Sequence, residues 1–271
     1  MQESPRAHGR QYDQLREITI SYNVFGYAPG SALFELGDTK ILCSVSIMPG
    51  VPHFLKGTKT GWLTAEYAML PTSGQNRLAR ESTQAKRNDR AVEISRLIGR
   101  SLRSIVNLAP VGERTIFVDC DVLQADGSTR TASITGAYLA LHRAVDQWIA
   151  NGDLEKTIIT DMVAGVSVGV ANGKPLLDLD YQEDTLIDAD YNFVFTQSEK
   201  IIEIQGTAEK KALSWHEFDQ IKALAIQGNK KIFTIMQESL QKVISAPPCP
   251  ITKTEKVPLF SLKNRLASNV S

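Results

Sequence analysis

The chain has 271 residues, with 30 Lys and Arg against 30 Asp and Glu, 42% hydrophobic residues and 7% aromatic residues. This is ordinary globular usage, enough for one large or two small domains, and no run of about 18 apolar residues exists to span a membrane. Met1 to Asp13 is polar, with no apolar stretch before a small-residue cleavage site, so no secretory signal is expected.

In chain order, residues 18–24, 31–36, 39–47 and 62–69 read as strands, with turn signals at 26–30 and a hairpin turn at Gly37-Asp38. Residues 89–107 carry Ile94, Leu97, Ile98, Leu102 and Ile105 at helical spacing, closed by Pro110 and Gly112. Residues 115–123 alternate as a strand, and 131–149 form a helix with Ile134, Ala137, Tyr138, Leu141, Val145 and Trp148 on one stripe. Strands are expected again at 163–170, 175–181, 189–196 and 200–206. A last helix over 214–243 opens with Ser214-Trp215-His216-Glu217, a capping box. Strand groups followed by helices predict an α+β domain of two similar halves over 1–244, although no direct repeat is visible. From Ser245 the chain turns to Ala-Pro-Pro-Cys-Pro and a polar, basic run, which reads as a disordered tail over 245–271. Cys43 and Cys120 sit in apolar strand-like runs far from Cys249, a pattern of thiols buried in a reducing cytoplasm rather than a disulfide frame or a zinc site.

Zero net charge conceals segregation. Between Arg77 and Arg103 stand eight basic residues against Glu81, Asp89 and Glu93. Between Lys174 and Phe193 the sign reverses, with Asp178, Asp180, Glu183, Asp184, Asp188 and Asp190 opposed only by Lys174. A segment that receives anions and another that receives a divalent cation suggest polyanion chemistry with a metal.

Four constellations stand out. The turn Gln124-Ala125-Asp126-Gly127-Ser128-Thr129-Arg130-Thr131 joins a strand to a helix, where N–H groups, hydroxyls and an Arg make either a phosphate cradle or a simple N-cap with a solvated charge. It lacks the Gly-Lys-Ser/Thr of a Walker A loop. Arg90 precedes Ile94 by four residues and is expected to point inward, facing either a phosphate or a protein carboxylate. Arg96, Arg100 and Arg103 recur on another face, read as solvated or subunit-contacting. In 183–190, Asp188 and Asp190 share one face of a strand and Asp184 comes from the preceding turn, giving either a Mg²⁺ site or an acidic surface turn. Arg77 and Arg80 lie three apart in a polar loop, either gripping a polynucleotide backbone or merely exposed. No Gly-x-Ser-x-Gly elbow and no EF-hand spacing occur, and the four His are scattered.

The strings Gly61-Trp62-Leu63-Thr64-Ala65-Glu66-Tyr67, Glu93-Ile94-Ser95-Arg96-Leu97-Ile98-Gly99-Arg100, Gly112-Glu113-Arg114-Thr115 through Asp119-Cys120-Asp121-Val122, residues 124–136, and Glu203-Ile204-Gln205-Gly206-Thr207-Ala208-Glu209 stand in this order. Over about residues 10–243 they resemble the ribonuclease PH family of phosphate-dependent 3′-to-5′ exoribonucleases. The resemblance implies the ribosomal protein S5 domain 2-like α+β fold. It assigns phosphate binding to Arg90, Ser128, Thr129 and Arg130, catalysis and Mg²⁺ to Asp184 and Asp190, and tRNA contact to Arg77 and Arg80. It further implies a cytoplasmic homohexamer built as a trimer of dimers, with no membrane partner. Inorganic phosphate would serve as co-substrate for trimming tRNA precursors beyond the CCA end and other RNA 3′ ends, reversibly releasing nucleoside 5′-diphosphates. Three departures from the family pattern are Thr72 in place of a third loop Arg, Ser128 in place of a loop Gly, and Arg6-Ala7-His8-Gly9-Arg10 in place of Arg-Pro-Asp-Gly-Arg. Two rivals are a non-catalytic, ring-building RNA-binding subunit and a small-molecule phosphotransferase. The retained Arg90, Arg130, Asp184 and Asp190 argue against the first, and the missing Gly-rich nucleoside triphosphate cradle against the second.

Overall fold

The computed structural model describes residues 6, 9–80, 83 and 88–244. The expected tail over 245–271, with Cys249, and Glu81, Lys86 and Arg87 of the basic stretch lie outside them.

Strands β1 (Ile18–Tyr22), β2 (Gly30–Leu36) and β3 (Thr39–Pro49) form an antiparallel meander, and Leu36 pairs with Thr39 across the Gly37-Asp38 turn. β4 (Trp62–Met69), helix α1 (Asp89–Arg103) and β5 (Arg114–Gln124) then make a crossover that leaves β4 parallel to β5, and the sheet runs β1-β2-β3-β5-β4. Ala91, Ile94, Leu97, Ile98 and Leu102 are buried on one face of α1, which packs on β4. The helix ends four residues before the expected stop, and the chain turns there with Ile105 still buried.

Helix α2 (Thr129–Ala150) explains why two sheets share one core. Its residues from Thr131 to Leu141 are buried without a polar stripe, because α2 packs against β2 and β3 on one side and β6 (Val163–Ala171) on the other. The second sheet, β7-β6-β8-β9, is antiparallel and uses β7 (Lys174–Leu177), β8 (Ala189–Thr196) and β9 (Ile201–Ala208). α4 (Trp215–Ile244) also packs on β6, so β6 is covered on both faces and reads as a continuous apolar run rather than an alternating one. The box at its start forms as expected: Ser214 N donates to Glu217 Oε2 at 2.7 Å and Glu217 N to Ser214 Oγ at 3.3 Å.

One element departs from the reading of the sequence. Residues 178–181 do not continue a strand. Asp178 turns back at φ 53°, and α3 (Tyr181–Leu186) follows, capped by Asp180 and Glu183 in a reciprocal box. This short helix carries Asp184.

Close packing of α2 on β2 depends on Gly30, where an added Cβ would collide with the Ala140 carbonyl oxygen and the Ala144 backbone nitrogen. Backbone cannot yield as a side-chain tip does. Gly30→Ala is expected to cost about 3 kcal/mol, roughly 10 °C in thermal midpoint, readable by calorimetry.

Candidate active site

An open cleft of about 500 Å³ lies between the start of α2, the start of α1, and α3 with β8. Arg90, Ser128, Thr129, Arg130, Asp184 and Asp190 all line it, so residues separated by up to 100 positions meet at one place.

The N-terminus of α2 faces the cleft. Ala132 N is the first to bond back along the helix, to Ser128 O at 3.0 Å, which leaves the N–H groups of Thr129, Arg130 and Thr131 without a helical acceptor. Such an end attracts anions. Ser128 supplies no side-chain cap and has φ 55°; its hydroxyl lies 2.6 Å from Ser167 Oγ, 3.1 Å from Leu179 O and 3.2 Å from Asp178 Oδ1. The Ser128 side chain is therefore held by the protein, and what this position offers an anion is backbone. Thr129 Oγ1 accepts from Tyr67 Oη at 3.2 Å, which orients it, and its own hydrogen remains to donate. Arg130 is tethered to residues outside the cleft lining: Nη2 reaches Glu93 Oε2 at 3.1 Å, and Nη1 donates to Gln205 Oε1. Gln205 Nε2 in turn donates to Glu93 Oε1 at 3.2 Å and to Glu203 Oε1 at 2.8 Å. Glu93, Gln205 and Tyr67, which orient Arg130 and Thr129, lie within the resembling strings, but no local spacing marks them.

Arg90 corrects an expectation. It is exposed rather than inward-pointing, since α1 begins at Asp89 and its first turn projects past β4; burial starts at Ala91. Its guanidinium has no ion pair among the described residues, yet the carboxylates of Asp184 and Asp190 feel its charge. Nor are the other arginines of α1 all solvated. Arg103 donates to the Leu63 carbonyl at 3.0 Å and stacks 4.6 Å from the Trp62 ring, while Arg100 pairs with Glu203.

The acidic stretch divides in two. Asp178, Asp180 and Glu183 turn away from the cleft into contacts with Arg6, Arg10 and Arg16, whereas Asp184 and Asp190 face it. Asp188 does not join them: β8 begins one residue later, and the Asp188 carboxylate accepts from Asn172 N at 2.9 Å and sits 3.8 Å from Lys210 Nζ. Burial raises the Asp184 carboxyl above the ordinary aspartate range; Asp190 adds to this and Arg90 opposes it. Burial likewise raises Asp190, with Glu209 adding and Arg130 opposing.

These two carboxylates form no ion pair among the described residues, and no group of three or more His, Cys, Asp or Glu there converges on a metal point. Two unspent oxygen donors, Asp184 exposed on the cleft wall and repelled by the half-buried Asp190, suit Mg²⁺, which keeps waters and takes phosphate oxygens alongside one or two carboxylates. They do not make a closed all-protein cage.

Arg77 and Arg80 are exposed and stand outside the cleft lining, on the loop whose Gln75, Asn76 and Leu78 do line it. The loop root is fastened to the end of β5 by Ala125 N donating to Ser73 O at 2.8 Å. Thr72 is exposed. Tyr181 lines the cleft with 43% of its surface exposed.

Residues 14–145 match domain 1 of the 3′ exoribonuclease family, and residues 161–228 match its domain 2. The chain belongs to that family of phosphate-dependent RNA 3′-end enzymes. It is 51% identical over 231 residues to ribonuclease PH of Neisseria meningitidis serogroup C, covering 85% of this chain and 96% of the relative, with the same figures for the serogroup B protein. Among solved structures, rice (Oryza sativa) Rrp46 superposes with a TM-score of 0.70 at 21% identity, over 87% of this chain and all of the other. An Archaeoglobus fulgidus exosome chain gives 0.70 at 24% identity, over 84% and 91%. At these identities the structural likeness is one of fold, and it agrees with the expected S5 domain 2-like α+β architecture.

Proposed function

We propose that residues 1–244 form a catalytic domain that shortens RNA from its 3′ end by phosphorolysis, with 245–271 as an appended tail. The observation that carries the reading is that the open end of α2, Arg90, which has no ion pair among the described residues, and the carboxylates Asp184 and Asp190 line the same cleft. Inorganic phosphate sits on Arg90, the hydroxyl and N–H of Thr129, the backbone at Ser128 and Arg130, and the free edge of the Arg130 guanidinium. Opposed cations lessen its repulsion from the RNA backbone and orient one oxygen in line with the terminal phosphodiester. That oxygen bonds to phosphorus as the P–O3′ bond breaks. A nucleoside 5′-diphosphate leaves, and the shortened RNA keeps its 3′ oxygen, protonated with help from Asp184. Asp184 and Asp190 would hold Mg²⁺, which when bound stabilises charge on the phosphorus oxygens and the departing oxygen. Run backwards, the site adds nucleotides from diphosphates.

The substrate is the 3′ end of a tRNA precursor beyond CCA, and other RNA ends. Arg77 and Arg80 grip its backbone, and the exposed ring of Tyr181 offers a face on which a base stacks. The chain works in the cytoplasm as a homohexamer, a trimer of dimers. The identity to proteins called ribonuclease PH supports this reading over an inert ring subunit, as does the retention of both charged poles. The test is incubation with Mg²⁺ and a 3′-labelled tRNA precursor, with and without inorganic phosphate. Labelled nucleoside diphosphate is expected only with phosphate. Monophosphate released without phosphate would mean hydrolysis, and bound but intact RNA would mean an inert subunit.

A further inference from the structure

Arg6, Arg10 and Arg16 enter the protein beside the cleft with less than a tenth of each side chain exposed. Arg16 grips Asp178 by a fork, Nη2 to Oδ1 at 2.7 Å and Nε to Oδ2 at 3.0 Å, and its own backbone N–H adds a bond to Oδ2 at 2.8 Å. The other arm of the guanidinium, Nη1, donates to the Asp126 carbonyl in the phosphate loop, while Nη2 also reaches Leu179 O at 3.1 Å. Arg10 donates to Asp178 O at 2.8 Å and to Glu183 Oε2 at 2.9 Å; Arg6 forks onto both oxygens of Glu183, each at 2.7 Å. Glu183 is the neighbour of Asp184.

The two segments so joined touch at backbone level. Gly127 has φ 77°, and a Cβ there would stand 2.5 Å from Leu179 O and 2.8 Å from the Asp180 carbonyl carbon. Asp178, 1% exposed, holds a left-handed φ of 53°, a conformation that persists where surroundings over-determine it. The Asp126 carboxylate closes the link by accepting from Tyr181 N, the first N–H of α3, at 3.3 Å. From the loop side, the Ser128 hydroxyl lies against Asp178 and Leu179.

We propose that this N-terminal arginine clamp positions the reaction. Arg16, through Asp178, Asp126 and Ser128, sets the separation between the anion-binding end of α2, which belongs to the first sheet's half, and α3, which carries Asp184 and belongs to the second. The inference rests on the phosphorolytic reading. Phosphate is held by the first half and the carboxylates Asp184 and Asp190 are carried by the second, and a misplacement of about 1 Å between reacting groups costs on the order of a hundredfold in rate. A planar fork serves this purpose where a point charge does not. Arg16 touches no substrate in this scheme and is a positioning residue.

The test uses the full chain and three measurements: equilibrium dialysis of labelled inorganic phosphate without RNA, steady-state phosphorolysis with phosphate varied, and the thermal midpoint. Arg16→Lys keeps the charge and loses the fork. Its phosphate Kd per folded molecule is expected to weaken about tenfold, with KM for phosphate rising in step. Ser128→Ala removes only the loop-side hydroxyl and serves if Arg16→Lys does not fold; about a threefold weakening is expected. A merely structural role lowers the midpoint and leaves phosphate affinity of the folded fraction unchanged, and that result in the folding variants overturns the clamp. If instead the unaltered protein neither binds phosphate nor releases diphosphate, the phosphorolytic reading itself falls, and the clamp with it.

Discussion

Arg90→Ala is expected to lower phosphate-dependent release of nucleoside diphosphate by roughly 10²–10³-fold, the scale of losing one preorganised charge partner of the transition state. A cation in the first turn of a helix is disfavoured by the macrodipole unless an anion sits beside it. Arg90 lies in that turn, exposed on the cleft wall, with no ion pair among the described residues. Asp184 and Asp190 feel its charge but form no ion pair with it, so its removal should lower folding stability by no more than about 1 kcal/mol and leave assembly unchanged. Initial rates measured across phosphate concentrations, beside gel filtration, check both halves of the statement. Wild-type rates at limiting phosphate would remove Arg90 from the phosphate site.

Asp184→Asn should separate activity from stability in opposite directions. Loss of one of two carboxylate donors is expected to lower turnover on the order of 10³-fold at fixed Mg²⁺, and chelation should silence the unaltered enzyme until Mg²⁺ is restored. Partial desolvation at the cleft wall and repulsion by Asp190 disfavour the charged form of Asp184 in the folded protein. The isosteric amide removes that repulsion. In metal-free buffer the thermal midpoint of the variant should therefore equal or exceed that of the unaltered chain. A fall of several degrees would show the carboxylate to be a structural partner, and the metal assignment would fail.

Much of this site is legible in the residue order. The hairpin at Gly37-Asp38, the strand into the turn at 124–131 and the helix after it follow from local periodicity and turn chemistry, which act over a few residues. Segregation of charge into a basic and an acidic stretch is likewise visible before folding. Helix α3 was not legible, because six residues are too few to show a period. Its box of Asp180 and Glu183 is held by Arg10 and Arg6, between 170 and 177 residues earlier. The inward Arg90 failed because spacing fixes the angular position of a residue on a helix but not whether the facing sheet extends beneath the first turn. Asp188 failed because alternation applies only inside a strand, and β8 starts at Ala189.

Residue types and local spacing by themselves determined the elements other than α3, the buried stripe of α1, the anion-seeking end of α2 and the presence of surplus carboxylates. Which carboxylates are neutralised by Arg6, Arg10 and Arg16, and which two are left facing the cleft, only the tertiary structure decided. The reason is that ion pairing depends on distances between side chains brought together from opposite ends of the chain, and no local pattern encodes those distances.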